Sequence, residues 1–255
     1  MEVSWSVVLI LCTAFFIAGF IDSIAGGGGL ITLPALLLCG IAPHYALGTG
    51  KFAGGLGSLT ALWSFFRGNY VTMKIVPVGF VSSFCGAMLG SWAALQVDSE
   101  VLGRLMIVLL PVGLGISLCC GGIKLQAEDQ GKSYFWVRLV AIGLLVGGYD
   151  GFFGPGAGSF FLIGLHVLLG MGLVHATANA KVLNLASNFG SVCAFATVGT
   201  IAYTLAVPCA LASILGNRIG ARYAMHIGAS VVRKVLYFVL CLLLASLVIR
   251  FYVLS

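Results

Sequence analysis

Apolar residues fill the chain in runs of about twenty, parted by short polar turns, and the runs are continuous rather than alternating, as in "VLGRLMIVLLPVGLGISLCC" and "KVLYFVLCLLLASLVIRFYVL". About 20 apolar residues cross a hydrocarbon core as a helix, whereas barrel strands alternate over ~10 residues. Helices therefore do the spanning, since each satisfies its own backbone. The pattern predicts an all-α polytopic membrane protein of about eight hydrophobic segments, over 4–40, 44–66, 74–96, 101–121, 135–170, 173–198, 201–221 and 231–253. The first and fifth are too long for one span, and glycine-rich stretches break both.

Those two breaks reveal a duplication. "AGFIDSIAGGGGLITLPALLLCGI" and "VGGYDGFFGPGAGSFFLIGLHVLL" share an aspartate, Asp22 and Asp150, followed four residues later by a glycine cluster. Downstream, "ALGTGKFAGGLGS" answers "HATANAKVLNLASN", which matches Lys51 to Lys181 if the second copy carries two extra residues. The polar stretch 123–133 is the linker, so the expected organisation is a first repeat over 1–122 and a second over 134–255. Internal symmetry with interrupted segments at matching positions points to a transporter site at the repeat interface.

Composition agrees. Residues are 60% hydrophobic and 8% charged, and the mean hydropathy is +1.13. The first apolar run follows Glu2 with no basic residue before it, unlike a cleaved signal peptide, and is expected to stay attached. Basic residues, enriched in cytoplasmic loops, decide between crossing and re-entrant broken segments. If both cross, Arg67, Lys74, Lys124, Lys132, Arg138 and Arg250 lie opposite Arg104, Arg218, Arg222, Arg233 and Lys234, an even split. If both are re-entrant, all of these except Arg104 and Arg250 share one face. The second arrangement is expected: it inverts the halves and places both termini outside the cell membrane. Against it, the first run is long enough to span alone. Trp5, Trp63, Trp92 and Trp136 fall near predicted helix ends, as interfacial anchors do.

Asp22, Lys51, Asp150 and Lys181 fall inside apolar segments, where each ionised group costs ~2.5–3.5 kcal/mol if unpaired. They must be paired, hydrated or ligand-bound. A glycine run stops a helix, and the piece restarting at Leu30 or Ser159 would present backbone N–H groups with a partial positive charge. Gly26, Gly27, Gly28 and Gly29 in one half, and Gly154, Gly156 and Gly158 in the other, thus read as two anion cradles, with Lys51 and Lys181 adding a positive charge to each. The two aspartates read equally as ion-pair partners, helix caps or proton-coupling groups. Gly54, Gly55 and Gly57 read as helix-packing positions. Ser58, Asn179, Asn184 and Asn188 recur at helical spacing near the lysines and could bond a ligand or another helix. His175 reads as a solvated turn residue. The eight cysteines show no disulfide or metal-ligand spacing, and the adjacent Cys119 and Cys120 are the one pair that invites redox chemistry.

The residues "GFIDSIAGGGGLITLPALL", "YDGFFGPGAGSF" and "ATANAKVLNLASN" resemble the TauE/SafE sulfite exporter (TSUP) family over nearly the whole chain. The resemblance implies passage of small sulfur oxyanions or organosulfonates such as sulfite or sulfoacetate across the cytoplasmic membrane. It points to Asp22, Gly26 to Gly29 and Lys51, and to Asp150, Gly154, Gly156, Gly158, Asn179 and Lys181. The family often has Asn before the first lysine, where this chain has Gly50.

The expected function is a secondary transporter of a small anion by alternating access, with a passive anion channel as the alternative. No "GxxxxGK[ST]", "GxSxG" or "HExxH" occurs, so neither an enzyme nor a cofactor or metal is expected. The expected partners are the anion, membrane lipid and a coupling proton, with no nucleic acid. Substrate identity, direction and oligomeric state stay open.

Overall fold

The computed structural model describes residues 4–121 and 134–224. The linker and the eighth predicted segment, 231–253, lie outside the described residues, as do the side chains of Cys119 and Cys120. The helices are α1 (Trp5–Ala25), α2 (Gly29–Leu38), α3 (Pro43–Arg67), α4 (Val76–Leu95), α5 (Ser99–Gly121), α6 (Phe135–Phe152), α7 (Ala157–Ile163), α8 (Leu173–Val198) and α9 (Tyr203–Ala224), with a short π-helical turn over Gly164–Leu168 after α7. No strand occurs among the described residues. Both long predicted segments are broken at their glycines, 4–40 into α1 and α2 and 135–170 into α6, α7 and the π turn.

Among the described residues, four helices, α1, α4, α6 and α9, have both the length and the apolarity to cross a membrane. α3 and α8 have the length, 25 and 26 residues, but carry Lys51, Lys181 and most of the buried amides. Their polarity marks the helices that build the site.

Two three-helix bundles form the body. α1 and α3 pack on α9, while α6 and α8 pack on α4, and α3 meets α8 between them. Each bundle thus takes two long helices from one half of the sequence and one from the other. Small residues make the tight seams, as expected where apolar burial supplies little drive between helices in lipid. A Cβ on Gly147 would lie 2.6 Å from the Ser83 carbonyl oxygen, Gly86, Gly90 and Gly151 sit at least as close to the facing backbone along the α4–α6 seam, and Gly143 meets the Ser82 side chain there. Gly216 and Gly220 meet the backbone of Phe16 and Phe20 in the same way between α9 and α1. Leu89, Leu145, Leu211 and Leu215 face outward, which suits a lipid-facing surface.

Helix directions follow from these contacts. α1 and α3 both run parallel to α9, since Phe16 meets Gly216 and Ser23 meets Gly220, while Gly48 meets Thr200 just before α9 and Gly57 meets Ser213 and Asn217, so α1 and α3 start at the same end and α2 returns toward it. α6 and α8 run parallel to α4, since Gly143 meets Ser82 and Gly151 meets Ala87, while Leu183 meets Gly79 and Gly190 meets Phe84, and α4 follows α3 through a short turn, so both start at the opposite end, toward which α7 returns. Arg67, Lys74, Arg138, Arg218 and Arg222 fall at that second end, and Arg104, near Pro43, at the first. In each half the short helix after the break thus turns back toward the end from which its long helix came.

Candidate functional site

The two breaks meet back to back. Gly26 has a φ of +65°, and a Cβ there would lie 2.8 Å from the Gly158 carbonyl carbon and the Ser159 nitrogen. Only glycine combines that left-handed φ with so close an approach. The Ser159 hydroxyl fastens the crossing by donating to the Gly26 carbonyl at 2.6 Å, and Tyr149 donates to the Pro155 carbonyl at 2.7 Å.

Around this crossing the four intramembrane charges pair between halves. Lys51 Nζ lies 2.6 Å from Asp150 Oδ1, and Lys181 Nζ lies 2.6 Å from Asp22 Oδ2 and 2.5 Å from the Asp22 carbonyl. Each pair joins one bundle to the other, α3 to α6 and α8 to α1. Asp150 also accepts from the Ser187 hydroxyl. The ammonium groups are therefore not free positive charges: two lysines and two aspartates leave the buried set formally neutral.

Asp22 has a further task. Its Oδ1 accepts the backbone N–H groups of Gly27 at 3.0 Å and Gly28 at 3.2 Å. Of the roles considered for it, the ion pair is formed, and the carboxylate also holds the two break residues just before α2, which itself has no side-chain cap. The helices restart at Gly29 and Ala157 rather than at Leu30 and Ser159, and the Leu30 and Ile31 N–H groups in the first turn of α2 go to the carbonyls of Gly27 and Gly28. The second break differs, because Asp150 turns to Lys51 and Ser187 instead. Gly154, with φ +96°, lets that pair rest on the main chain: a Cβ there would lie 3.1 Å from Lys51 Nζ.

A cavity of about 80 Å³, several times the room one water needs, opens between the bundles at this crossing. Of the residues the sequence nominates, Asp22, Gly27, Gly28, Gly29, Lys51, Asp150, Gly154, Gly156 and Gly158 line it. Five do not. Gly26 and Ser159 form the crossing itself, and Leu30 is fully buried in the apolar core. Lys181, 3% exposed, is turned onto Asp22. Asn179 ties the α3–α4 turn to α8, accepting the Thr72 N–H at 3.0 Å and donating to the Thr72 hydroxyl at 3.3 Å and the His175 carbonyl at 2.7 Å. The exposed His175 ring lies 2.9 Å from the Tyr70 carbonyl in the same turn.

The glycines beyond Lys51 divide. Gly57 and Gly55 pack, against Ser213 and Asn188, but Gly54 has nothing within 4 Å of a would-be Cβ and lines the cavity. Ser213 and Asn217 of α9 also line it and were missed from sequence because Asn217 precedes Arg218 in a stretch that reads as an interfacial helix end. Their four-residue spacing on an apolar helix was the available signal.

A bundle of apolar helices around a charged, glycine-lined cavity where two broken segments meet defines the class, a membrane transporter. The chain belongs to the sulfite exporter TauE/SafE family, whose model matches residues 11–247. It is 38% identical over 242 residues to the probable membrane transporter protein ORF9 of Sinorhizobium sp, covering 93% of this chain and 91% of that one. It is 36% identical to the probable membrane transporter protein YfcA of Escherichia coli K12 (94% and 90% covered), and 35% identical to a probable membrane transporter protein of Haemophilus influenzae (97% of both). No solved structure matches.

Proposed function

We propose that the protein is a secondary transporter of a small anion, a sulfur oxyanion or organosulfonate such as sulfite or sulfoacetate, held at the Lys51–Asp150 pair. The observation that carries this reading is the convergence of both glycine breaks on one cavity with that ion pair in its wall. The family's name, sulfite exporter, supports the substrate class.

A paired lysine attracts an anion weakly, because the carboxylate beside it cancels most of its field. In the proposed mechanism the incoming anion displaces Asp150 from Lys51, and Asp150 takes up a proton. The pocket then holds one ammonium, one anion and a neutral acid, while Asp22 stays paired with Lys181 and bonded to the Gly27 and Gly28 N–H groups. Anion and proton move together. Breaking the Lys51–Asp150 contact also removes one of two charged links between the bundles, so binding favours their relative movement and alternating access. The repeats over 1–122 and 134–255 would be inverted, with the basic end cytoplasmic, the N-terminus outside and the chain in the cytoplasmic membrane.

Flux into proteoliposomes tests the reading. Saturable sulfite uptake driven by an inward proton gradient, lost in Lys51→Ala and uncoupled from pH in Asp150→Asn, is expected. Flux that never accumulates substrate against its gradient would instead indicate a channel.

A further inference from the structure

The two breaks match position for position yet follow different paths. Counted from the two aspartates, Gly26 corresponds to Gly154, Gly27 to Pro155 and Gly28 to Gly156, and α2 and α7 then begin at Gly29 and Ala157. The first position has a positive φ in both, +65° and +96°. The second does not. Gly27 takes φ +146°, a conformation closed to proline, whose ring holds φ at about −65°. Pro155 and Gly156 instead form the corners of a turn, closed by the Ala157 N–H donating to the Gly154 carbonyl at 3.1 Å, with Gly156 at φ +85° and ψ −8°. Proline followed by a left-handed glycine is the pairing that suits a type II turn. Tyr149 holds this turn through its bond to the Pro155 carbonyl at 2.7 Å.

The consequence falls on the carboxylates. In the first break the Gly27 N–H is one of two main-chain donors to Asp22 Oδ1. The corresponding atom in the second break is the Pro155 ring nitrogen, which has no hydrogen to donate. Among the described residues Asp150 accepts only from Lys51 and the Ser187 hydroxyl, although a Cβ on Gly154 would lie 3.4 Å from its Oδ1. Nearby charge does not distinguish the two aspartates, since each has one lysine at 2.6 Å. Around Asp150, Tyr149 precedes it on α6, the Asp22–Lys181 pair lies across the crossing, and α4 and α7 carry no charged residue. The main chain makes the difference. Hydrogen bonds to a carboxylate favour its charged form, so an aspartate held as Asp22 is resists taking up a proton. We infer that Pro155 is a positioning residue for proton coupling: by withholding a main-chain donor, it leaves Asp150 rather than Asp22 free to part from its lysine and take the proton that accompanies the anion. This deepens the anion-transport reading and rests on it. Pro155 lines the cavity, but its role runs through Asp150.

Calorimetric titration of the purified full-length protein with ethanesulfonate, in buffers of differing ionisation enthalpy and across a range of pH, measures the protons taken up per anion bound. Pro155→Gly restores both the N–H and the freedom to reach a positive φ; Pro155→Ala, which restores the N–H alone, serves if the first variant does not fold. In the wild type, uptake should fall from about one toward zero as pH rises. In the variant, the pH of half-uptake should lie about one unit lower, the equivalent of a tenfold gain for the charged carboxylate from one added hydrogen bond. A purely structural role would weaken binding without moving that midpoint. A midpoint unmoved, or moved to higher pH, would overturn the role of Pro155 and leave the anion site standing. Wild-type binding without proton uptake, or no binding at all, would overturn it together with the reading beneath it.

Discussion

Lys51 and Asp150, from opposite halves of the sequence and opposite bundles, meet at 2.6 Å with side chains only 7% and 3% exposed. Removing one partner of a buried pair leaves the other charge uncompensated, at a cost of about 3–5 kcal/mol, whereas replacing both with apolar residues is often neutral. Lys51→Met and Asp150→Leu should each lower the melting temperature in detergent. The double variant should recover most of the loss and still not transport.

The two lysines should separate functionally. Lys181 is held by Asp22 away from the cavity wall and Lys51 forms part of it. Lys181→Met should therefore act mainly on stability, by unpairing the Asp22 carboxylate, while Lys51→Met abolishes anion binding. Melting curves and anion titrations on both variants check this.

Two glycines to alanine should give opposite outcomes. Gly26→Ala meets a positive φ and a 2.8 Å contact with the second break, so it should cost more than 1 kcal/mol and prevent a stable fold in membranes. Gly54→Ala meets open space and should leave melting unchanged while narrowing the cavity, so that larger sulfonates are transported more slowly than sulfite. Expression, melting and uptake of a size series check both.

Asn179→Ala should reduce stability by roughly 1–3 kcal/mol, because it leaves the Thr72 N–H without its acceptor. Its anion affinity should match the wild type, since Asn179 bonds the α3–α4 turn. Unfolding and titration of one preparation separate the two effects.

Much of the fold was legible because apolar runs and glycine breaks are local signals. The helices begin and end within a few residues of the expected segments, and "GGGG" and "GPGAG" both interrupt helices. Charge counting pointed to re-entrant segments; the contacts between helices set α1 parallel to α3 and α6 parallel to α8. The site was only partly legible. Sequence symmetry gave Lys51 and Lys181 equal weight, yet one faces the cavity and the other turns onto Asp22, a difference set by packing between halves. The pairing of each aspartate with the other half's lysine is a long-range relation that spacing along the chain does not encode. Asn179 carried the right chemistry in the right neighbourhood, but a turn from another helix reached it first. Asn217 is the converse case, a polar residue near a helix end whose importance appears only when α1, α3 and α9 are brought together.

The central claim is that an anion takes the place of Asp150 beside Lys51 and that Asp150 then binds a proton. Calorimetric titration of ethanesulfonate, which does not titrate near neutral pH, in buffers of differing ionisation enthalpy measures proton uptake on binding directly. The account predicts about one proton taken up per anion bound, tighter binding as pH falls, and no uptake in Asp150→Asn. Undiminished binding to the Lys51→Met/Asp150→Leu protein would contradict it.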